Sequence, residues 1–391
     1  MSVTVRSIGT AVPPTVLRQA DVSDVFRAQP SVTKLGSRII GAAFGASAIE
    51  TRHTVIDELS FPADGRKDTN TAPTPVFFDA ATNRILEPST GTRNDVYAAA
   101  SPALFLEAAT RAIDAADGID LADITHVVSA SCTGFFAPGP DYLLVRDLGL
   151  SPSTQRYHLG FMGCYAAFPA LRAAHSFCEA DPDAVVLVVC VELCSLHLRS
   201  SNDPDAIVAS SVFADGAAAA IVTARQAPSG TTVLDLDTFR SVVIPEGEGD
   251  MAWTIGDQGF DMVLSSYVPR IIEQHISDAL APLIATDETL TDRPYRDIEH
   301  WAIHPGGRSI LDRVQETLEL DDAQLVPSRS VLRDYGNMSS ATVLFVLQTI
   351  LNDTSSTRSQ ATGAVPERVC SMAFGPGLTV ETALLTKRTI A

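Results

Sequence analysis

Basic residues are scarce in this sequence of 391 residues. Lys and Arg together number 28, against 47 Asp and Glu, which gives a formal net charge of −19 at pH 7. Nucleic-acid backbones and acidic membranes attract basic surfaces, so this balance argues against a protein that binds either of them. We therefore expect no nucleic-acid partner, and an acidic protein that its charge keeps in solution.

Long apolar runs are also missing. The longest, near 184–190, is far shorter than the roughly 20 residues that span a bilayer. The start, MSVTVRSIGTAVPPTVL, lacks the basic and apolar regions of a secretory signal. The six cysteines form neither a tight disulfide framework nor the paired spacing of a zinc site. These absences predict a cytoplasmic protein with reduced thiols, no membrane span and no metal.

Strand-like and helix-like segments alternate along the chain, which predicts an α/β architecture. Continuous apolar runs, as in AVVLVVCVEL (184–193), are typical of strands buried on both faces. The order strand, helix, strand recurs after a polar stretch at 225–238, which suggests two duplicated halves over 1–228 and 229–391. A segment rich in Thr, Pro and Asn, 69–94, predicts an ordered loop or insertion.

Cys164, in GFMGCYAAFPALRAA, is the first candidate for chemistry. A strand-like run ends just before it, and a helix begins at or just after it. The positive end of a helix dipole favours a thiolate, so this position suits a nucleophile. A buried, unreactive cysteine is the alternative.

Two further polar residues stand at similar turns. His304 ends an apolar strand and precedes Pro-Gly-Gly, so its ring is expected to face a cleft, with a hydrogen-bonded structural histidine as the alternative. Asn337 follows a glycine and precedes a helix, where helix capping is the alternative. Together with Cys164 they predict thioester chemistry. The imidazole stabilises the thiolate as an ion pair, and His and Asn donate hydrogen bonds to an oxyanion or enolate.

Eight segments, in this order and spacing, resemble the type III polyketide synthases, the chalcone-synthase-like branch of the thiolase fold, over nearly the whole chain. They are GTRNDVY, SCTGFFAPGPDY, GFMGCYAA, VVCVELCS, SVFADGAAAA, WAIHPGG, YGNMSSATVLFVL and AFGPGLTVE. The resemblance implies a five-layered αβαβα fold built from two duplicated halves, and a homodimer. It also implies an acyltransferase that uses an acyl-CoA starter and malonyl-CoA, with no bound cofactor. The implied reaction is repeated decarboxylative condensation, then cyclisation to a pyrone, resorcinol or related phenolic.

The resemblance also implies roles for individual residues. Cys164 matches the acyl-carrying nucleophile, His304 and Asn337 match the other catalytic residues, and Phe213 matches the gate between the CoA tunnel and the cavity. Around the substrate cavity it places Cys132, Thr133, Cys194, Trp253, Met262 and Ser339. The basic cluster that holds the CoA phosphates in plant members is not reproduced. Arg38 and Arg52 lie near its position and are expected at the CoA tunnel with Gly306 and Gly307, and a structural role is the alternative for Arg52.

Some of these positions depart from the plant members of the family. Met262 replaces a second cavity phenylalanine, and Cys132 and Cys194 resemble some bacterial members, so we expect a bacterial-type enzyme. Trp253 stands where many relatives carry glycine or a smaller aromatic residue. It is expected to reduce the cavity volume, with ordinary core packing as the alternative.

Two other functions fit the same residues. One is a ketosynthase III-like enzyme that performs a single condensation with acyl carrier protein. The other, from a different class, is a cysteine hydrolase or thioesterase, since Cys, His and Asn also serve such enzymes. A binding protein on a disused catalytic scaffold is a third class, and the retention of all three reactive side chains argues against it.

Overall fold

The structure is a computed structural model that describes residues 2–60, 74–291, 293–353 and 366–391. Strands and helices alternate along these residues. The strands are β1 (Thr4–Ala11), β2 (Thr15–Arg18), β3 (Thr51–Thr54), β4 (Phe78–Asp79), β5 (Arg84–Ile85), β6 (His126–Ser131), β7 (Gln155–Gly160), β8 (Val185–Leu193), β9 (Asp215–Thr223), β10 (Thr232–Val243), β11 (Met251–Gly256), β12 (Gly259–Leu264), β13 (His300–Ile303), β14 (Glu367–Gly375) and β15 (Thr379–Thr389). The helices are α1 (Gln19–Arg27), α2 (Lys34–Ala46), α3 (Thr90–Asp114), α4 (Pro140–Leu148), α5 (Ala167–Ala180), α6 (Pro204–Val212), α7 (Val268–Ile284), α8 (Arg308–Leu318), α9 (Asp322–Tyr335) and α10 (Thr342–Asn352).

One large sheet runs through the described residues in the order β13-β14-β15-β10-β1-β9-β8-β6-β7. On one side of its centre, β6 pairs with β8 in parallel. β9 then pairs antiparallel with β8 on one edge and with β1 on the other. On the other side, β13 pairs with β14 in parallel, and β15 pairs antiparallel with both β14 and β10. The two halves therefore share one topology, as the sequence predicts.

Helices cover both halves of the sheet and also fill the space between them. α5 and α10 contact strands of both halves, and their apolar side chains form a common core with the inner faces of the sheet. The outer face of the first half packs against α1 to α3, and that of the second half packs against α7 to α9. Burial of both faces explains why β8 and β9 are apolar along their whole length. The layers thus follow the order αβαβα.

The sequence analysis assigned no helix at α6 or at α9. α9 contains Pro327, and a proline inside a helical pattern normally indicates its end. α6 is short and follows a turn that ends at Asp203, whose side chain accepts a hydrogen bond from the N–H of Ala206 and so caps the helix. Both helices lead into residues of the candidate site.

The expected loop at 69–94 is only partly a loop. Residues 69–73 lie outside the described residues, and the remainder forms the β4–β5 hairpin and the first turn of α3. The expected boundary between 228 and 229 falls in the connection between β9 and β10, and its role as a domain boundary stays a prediction. In the described ranges no helix is both long and apolar enough to cross a membrane.

Candidate active site

Three turns bring Cys164, His304 and Asn337 to one cavity of about 510 Å³, part of which is open to solvent. Cys164 lies in a short 3-10 turn before α5, His304 directly follows β13, and Asn337 lies between α9 and α10. The two parallel strand pairs, β6–β8 and β13–β14, end at this same cavity. The duplicated topology therefore explains how residues far apart in the chain meet.

The nucleophile turn depends on close backbone packing. Gly163 has φ +77°, and a Cβ at this position would lie 2.5 Å from Pro376 Cδ. Pro376 belongs to the Gly-Pro-Gly turn after β14 and itself lines the cavity. Glycine is required here because any side chain would push that turn away from Cys164.

Cys164 and Asn337 are neighbours. The Cys164 Sγ lies 3.9 Å from both the Oδ1 and the Nδ2 of Asn337. The Oδ1 accepts a hydrogen bond from the backbone N–H of Ser339 at 2.8 Å, and the Nδ2 donates to the Gly306 carbonyl at 3.3 Å. The amide is thus held in one orientation. Asn337 does not cap α10, because the N-cap of that helix is Ala341, whose side chain makes no capping hydrogen bond.

His304 is buried, and its ring lines the cavity. Its backbone N–H donates to the Met372 carbonyl of β14 at 2.8 Å, which fixes the residue at the strand end. Neither ring nitrogen has a hydrogen-bond partner among the described residues. Buried polar atoms are almost always paired, so an unpaired imidazole facing a cavity is typical of a group that binds a substrate. This geometry favours the cleft-facing interpretation of His304.

Burial shifts the pKa values of the two titratable groups in opposite directions. It raises the pKa of Cys164 to about 11, against hydrogen bonds from Ser339 and Asn337 that lower it. It lowers the pKa of His304 to about 3. Burial therefore disfavours the charged form of each group, and the thiolate–imidazolium pair expected from the sequence stays a prediction. The helix dipole is not the dominant influence that the sequence suggested, because α5 begins only at Ala167 and burial outweighs it.

The hairpin of β11 and β12 supplies one wall of the cavity. Trp253 and Met262 face each other across this hairpin, and both line the cavity. The Trp253 ring stands edge-on to Phe213 with ring centroids 6.2 Å apart. On another wall the Cys132 Sγ lies 3.6 Å from the Ser339 Oγ. All five residues line this cavity, and their roles there stay predictions.

Of the other expected cavity residues, one lines neither cavity and one lines a neighbouring cavity. Thr133 is buried behind the wall, where its hydroxyl donates to Glu192 at 3.0 Å and accepts from the N–H of Leu193 at 2.9 Å. Cys194 lines a second cavity of about 390 Å³. Phe213 and Met262 line both cavities and therefore separate them.

Glu192 is a buried carboxylate at the end of β8 that sequence reasoning missed. It accepts hydrogen bonds from the N–H of Cys132 at 2.9 Å, from the Thr133 hydroxyl at 3.0 Å and from the Ser340 hydroxyl at 2.5 Å. Burial raises its pKa to about 7, although these bonds oppose the shift. The sequence does contain an indication of this residue, a single acidic side chain in an otherwise apolar strand. A buried carboxyl group requires hydrogen-bond partners in the fold.

A surface groove of about 1270 Å³ leads to the cavity. Gly306 and Gly307 line it as expected, and Gly306 lines the cavity as well. Exposed arginines also line the groove: Arg270, Arg308 and Arg313. The sequence analysis missed them, although Arg308 directly follows the glycines that were identified.

The expected tunnel residue Arg52 is wrong. It is 1% exposed, and its Nη1 donates to the backbone carbonyls of Ser210 and Phe213 at 2.8 and 2.7 Å. It is a core residue, because its guanidinium faces backbone rather than solvent. Arg38 is exposed on α2, whose C-terminal residues line the groove, and its contact with CoA stays a prediction.

Comparison with known proteins first identifies the class of protein, because the fold is that of polyketide-forming condensing enzymes. The N-terminal domain of the chalcone and stilbene synthases matches residues 79–226, and the C-terminal domain matches residues 235–389. The chain belongs to this family, the type III polyketide synthases, and is an enzyme of the acyltransferase type.

Relatives and solved structures agree with this assignment. The bisdemethoxycurcumin synthase of Oryza sativa subsp. japonica is 37% identical over 304 residues, covering 76% of this chain and 74% of that protein. The probable polyketide synthase 1 of Dictyostelium discoideum is 32% identical over 97% of this chain, which spans only 11% of that protein.

Two crystal structures match over almost the entire chain. The PKS-I of the brown alga Ectocarpus siliculosus has a TM-score of 0.86 at 28% identity, with 99% of this chain and 98% of that chain covered. The C-terminal type III polyketide synthase domain of Steely1, a type I/III hybrid from Dictyostelium, has a TM-score of 0.85 at 30% identity, with 100% of both chains covered. They confirm the thiolase-like fold. The bacterial character expected from Cys132 and Cys194 stays a prediction.

Proposed function

We propose that Cys164, His304 and Asn337 are the catalytic residues of this polyketide synthase, and that its substrates are an acyl-CoA starter and malonyl-CoA. The observation that carries the proposal is their convergence on one buried cavity. There the thiol lies 3.9 Å from the Asn337 amide, and the His304 ring has no hydrogen-bond partner among the described residues.

The first step loads the starter. His304 accepts the proton of the Cys164 thiol, and the thiolate attacks the thioester carbonyl of the starter. A new C–S bond forms at Cys164, and the bond to CoA breaks. The CoA thiolate leaves and takes the proton back from His304. Because burial disfavours each charge alone, the proposal couples this proton transfer to the attack on the carbonyl.

The second step extends the acyl group. The carbonyl oxygen of malonyl-CoA accepts hydrogen bonds from the Asn337 Nδ2 and from His304. The bond to the carboxylate breaks, CO₂ leaves, and the electron pair forms an enolate held by these donors. The enolate carbon attacks the Cys164 thioester, a C–C bond forms, and the C–S bond breaks to restore the thiolate. The product is a CoA thioester that is longer by one acetate unit, and it can load again.

The groove and the two cavities suit this sequence of steps. Arg270 and Arg308 offer positive charge to the phosphates of CoA at the groove, on a chain whose net charge is −19. Gly306 and Gly307 leave room for the thioester arm. The cavity of Cys164 and the second cavity, separated by Phe213 and Met262, hold the growing chain until it closes to a pyrone, resorcinol or related phenolic.

A homodimer is part of the proposal. β7 lies at the edge of the large sheet, and its residues are mostly exposed. Tyr157 on this strand, together with Phe135 and Tyr142, presents exposed aromatic side chains. An edge strand with exposed aromatic residues is a surface that proteins normally cover, and a second copy of β7 would cover it by antiparallel pairing.

Mass spectrometry of the products tests the proposal. Purified protein is incubated with malonyl-CoA and acetyl-, medium-chain, long-chain or aromatic acyl-CoA, beside the variants Cys164→Ala and Cys178→Ala. Cys178 is a buried cysteine of the core and serves as the matched control. Products of starter plus several acetate units, lost in Cys164→Ala and kept in Cys178→Ala, are expected. Only free acid would indicate a hydrolase, and activity with malonyl-acyl carrier protein alone would indicate a ketosynthase III-like enzyme.

A further inference from the structure

Arg52 connects two segments of the catalytic site from within the core. Its Nη1 donates to the carbonyl of Ser210, in the last turn of α6, and to that of Phe213, the residue that ends the helix. The last carbonyls of a helix lack donors within the helix and carry partial negative charge. The guanidinium supplies both a donor and a positive charge there, so it holds the backbone of Phe213 in place.

The same side chain contacts the end of α9. Gly336 follows this helix with φ +70°, and a Cβ there would lie 2.9 Å from the Arg52 Cγ. The residue before Arg52, Thr51, donates its hydroxyl proton to the Asp334 carbonyl at 2.7 Å. Arg52 therefore packs directly against the residue that precedes Asn337.

The two segments are also bonded to each other. The N–H of Asn337 donates to the Val212 carbonyl, and the N–H of Ala214 donates to the Asn337 carbonyl, both at 2.9 Å. These bonds make Phe213 and Asn337 partners in a short parallel bridge. Arg52 lies across this bridge, bonded to one side and packed against the other.

The charge of Arg52 is only partly compensated by its surroundings, in which its guanidinium lies 5.7 Å from the centre of the Phe44 ring. Burial lowers its pKa to about 10, with Asp215 opposing the shift, so the group stays charged at neutral pH. Its Nε and Nη2 have no hydrogen-bond partner among the described residues. A buried cation with unpaired N–H groups destabilises a fold, and an apolar side chain would avoid that cost.

We infer that Arg52 is a positioning residue for the condensation reaction, which sets the distance between Phe213 and Asn337 and so aims the Asn337 amide at the thioester bound beside Cys164. The inference rests on the proposed function, in which Asn337 stabilises the enolate. The inference predicts different effects on the two half-reactions. Malonyl-CoA decarboxylation requires the correctly oriented Asn337 amide, whereas starter loading requires the thiol and His304.

The test compares Arg52→Met and Arg52→Lys with Arg6→Met. Arg6 is a buried arginine that also donates to two backbone carbonyls, those of Arg225 and Gln226, but lines neither cavity. Starter loading on Cys164 is followed by intact-protein mass spectrometry, and decarboxylation by release of labelled CO₂ from malonyl-CoA. Thermal stability is measured on every variant.

For Arg52→Met we expect kcat for decarboxylation to fall about tenfold to a hundredfold, the range for a slightly misplaced catalytic group. Loading should stay within about threefold of the wild type on the same reasoning. Arg52→Lys keeps a charged donor and should recover part of the loss. Arg6→Met should lose stability but keep the ratio of the two rates.

Equal losses of loading and decarboxylation in Arg52→Met, matching those of Arg6→Met at similar stability, would overturn the inference. If Arg52→Met does not fold, Gly336→Ala provides the second perturbation. Its Cβ would lie 2.9 Å from the Arg52 Cγ and 3.0 Å from the Val212 carbonyl oxygen. It therefore displaces both sides of the bridge without removing the charge, and it should lower decarboxylation selectively. A wild-type protein that neither loads a starter nor releases CO₂ would contradict the proposed function itself, whereas full decarboxylation by Arg52→Met contradicts only this inference.

Discussion

Phe213 and Asn337 form a parallel β-bridge, although 123 residues separate them along the chain: the residues on either side of Phe213 exchange backbone hydrogen bonds with Asn337, both 2.9 Å long. Phe213, which lies between the two cavities, and the amide beside the thiol are therefore parts of one hydrogen-bonded unit. A change at either residue is expected to affect both substrate choice and chemistry.

Asn337→Ala removes the amide beside Cys164. We expect release of CO₂ from malonyl-CoA to fall about a hundredfold to a thousandfold, the usual cost of losing an oxyanion donor. Loading of the starter on Cys164 should continue, because it depends on the thiol and His304. Labelled CO₂ and intact-protein mass measure the two steps, and a parallel loss of both would contradict the separate role of Asn337.

His304→Ala removes the charge partner of the thiol. Burial already raises the pKa of Cys164 to about 11, and the variant lacks the imidazole that the proposal names as the acceptor of the thiol proton. The reactive thiolate will form only as the pH rises towards this value, so alkylation by iodoacetamide should be slow at pH 7 and increase steadily above pH 9. The wild type is expected to react already at pH 7. Cys164→Ala corrects for the other thiols, and equal rates at pH 7 would show that His304 does not stabilise the thiolate.

Trp253→Ala enlarges the cavity beside Phe213 and Met262. We expect bulkier or longer starters to be accepted, or more acetate units to be added, because the indole occupies volume next to the gate. The control is Ile255→Ala on the same hairpin, where the side chain is 61% exposed. Product masses from a panel of acyl-CoA starters are the measurement. A product profile like that of the wild type would assign Trp253 to packing alone.

Glu192→Gln tests the raised pKa of the buried carboxyl group. Burial raises this pKa from 4.5 to about 7. Between these pH values the native state binds more protons than the unfolded state, so the stability of the wild type falls as the pH rises. The glutamine side chain does not titrate, so the stability of the variant does not fall in this way as the pH rises. Its stability relative to the wild type should therefore increase by roughly 3 kcal/mol from pH 4.5 to above pH 7.

Urea denaturation at pH 5, 6, 7 and 8 measures that difference for Glu192→Gln. The matched control is Glu107→Gln, at an exposed ion pair with Arg111, for which the difference should stay nearly constant. A relative stability that decreases with rising pH would mean that the Glu192 carboxyl has a lowered pKa.

Arg270→Ala and Arg308→Ala test the groove as the CoA site. Each change removes a positive charge near the expected phosphates, so KM for malonyl-CoA should rise about threefold to tenfold at low salt, with a smaller effect at high salt. The control is Arg111→Ala on α3, which lines neither the groove nor the cavity. Unchanged KM values in both groove variants would place the CoA phosphates elsewhere, for example at Arg38.

Much of the site follows from local sequence. Cys164, His304 and Asn337 were each identified by a reactive side chain at a turn between regular elements, and the structure places all three at one cavity. Cys132 and Ser339 followed from the motifs around them, and both line the cavity as well. Such features are visible in short segments, because turn residues and apolar strands have local physical causes.

Other residues could not be assigned in this way. Arg52 was expected at a CoA tunnel, and it lies in the core between Phe213 and Gly336. Its burial depends on α6 and α9, two helices that the sequence analysis did not identify. Thr133 was expected at the cavity, and its hydroxyl instead binds Glu192. Neighbouring residues in a turn point in different directions, and sequence alone does not give those directions.

The order of the motifs, the α/β alternation and the three reactive side chains are properties of the chain, since each depends on residues close together in sequence. The enclosure of the cavity is a property of the fold. Trp253, Met262 and Phe213 come from separate segments, and the parallel strand ends that gather them are set by pairings between distant strands. Burial, and with it the pKa values of Cys164, His304 and Glu192, exists only after those pairings have formed.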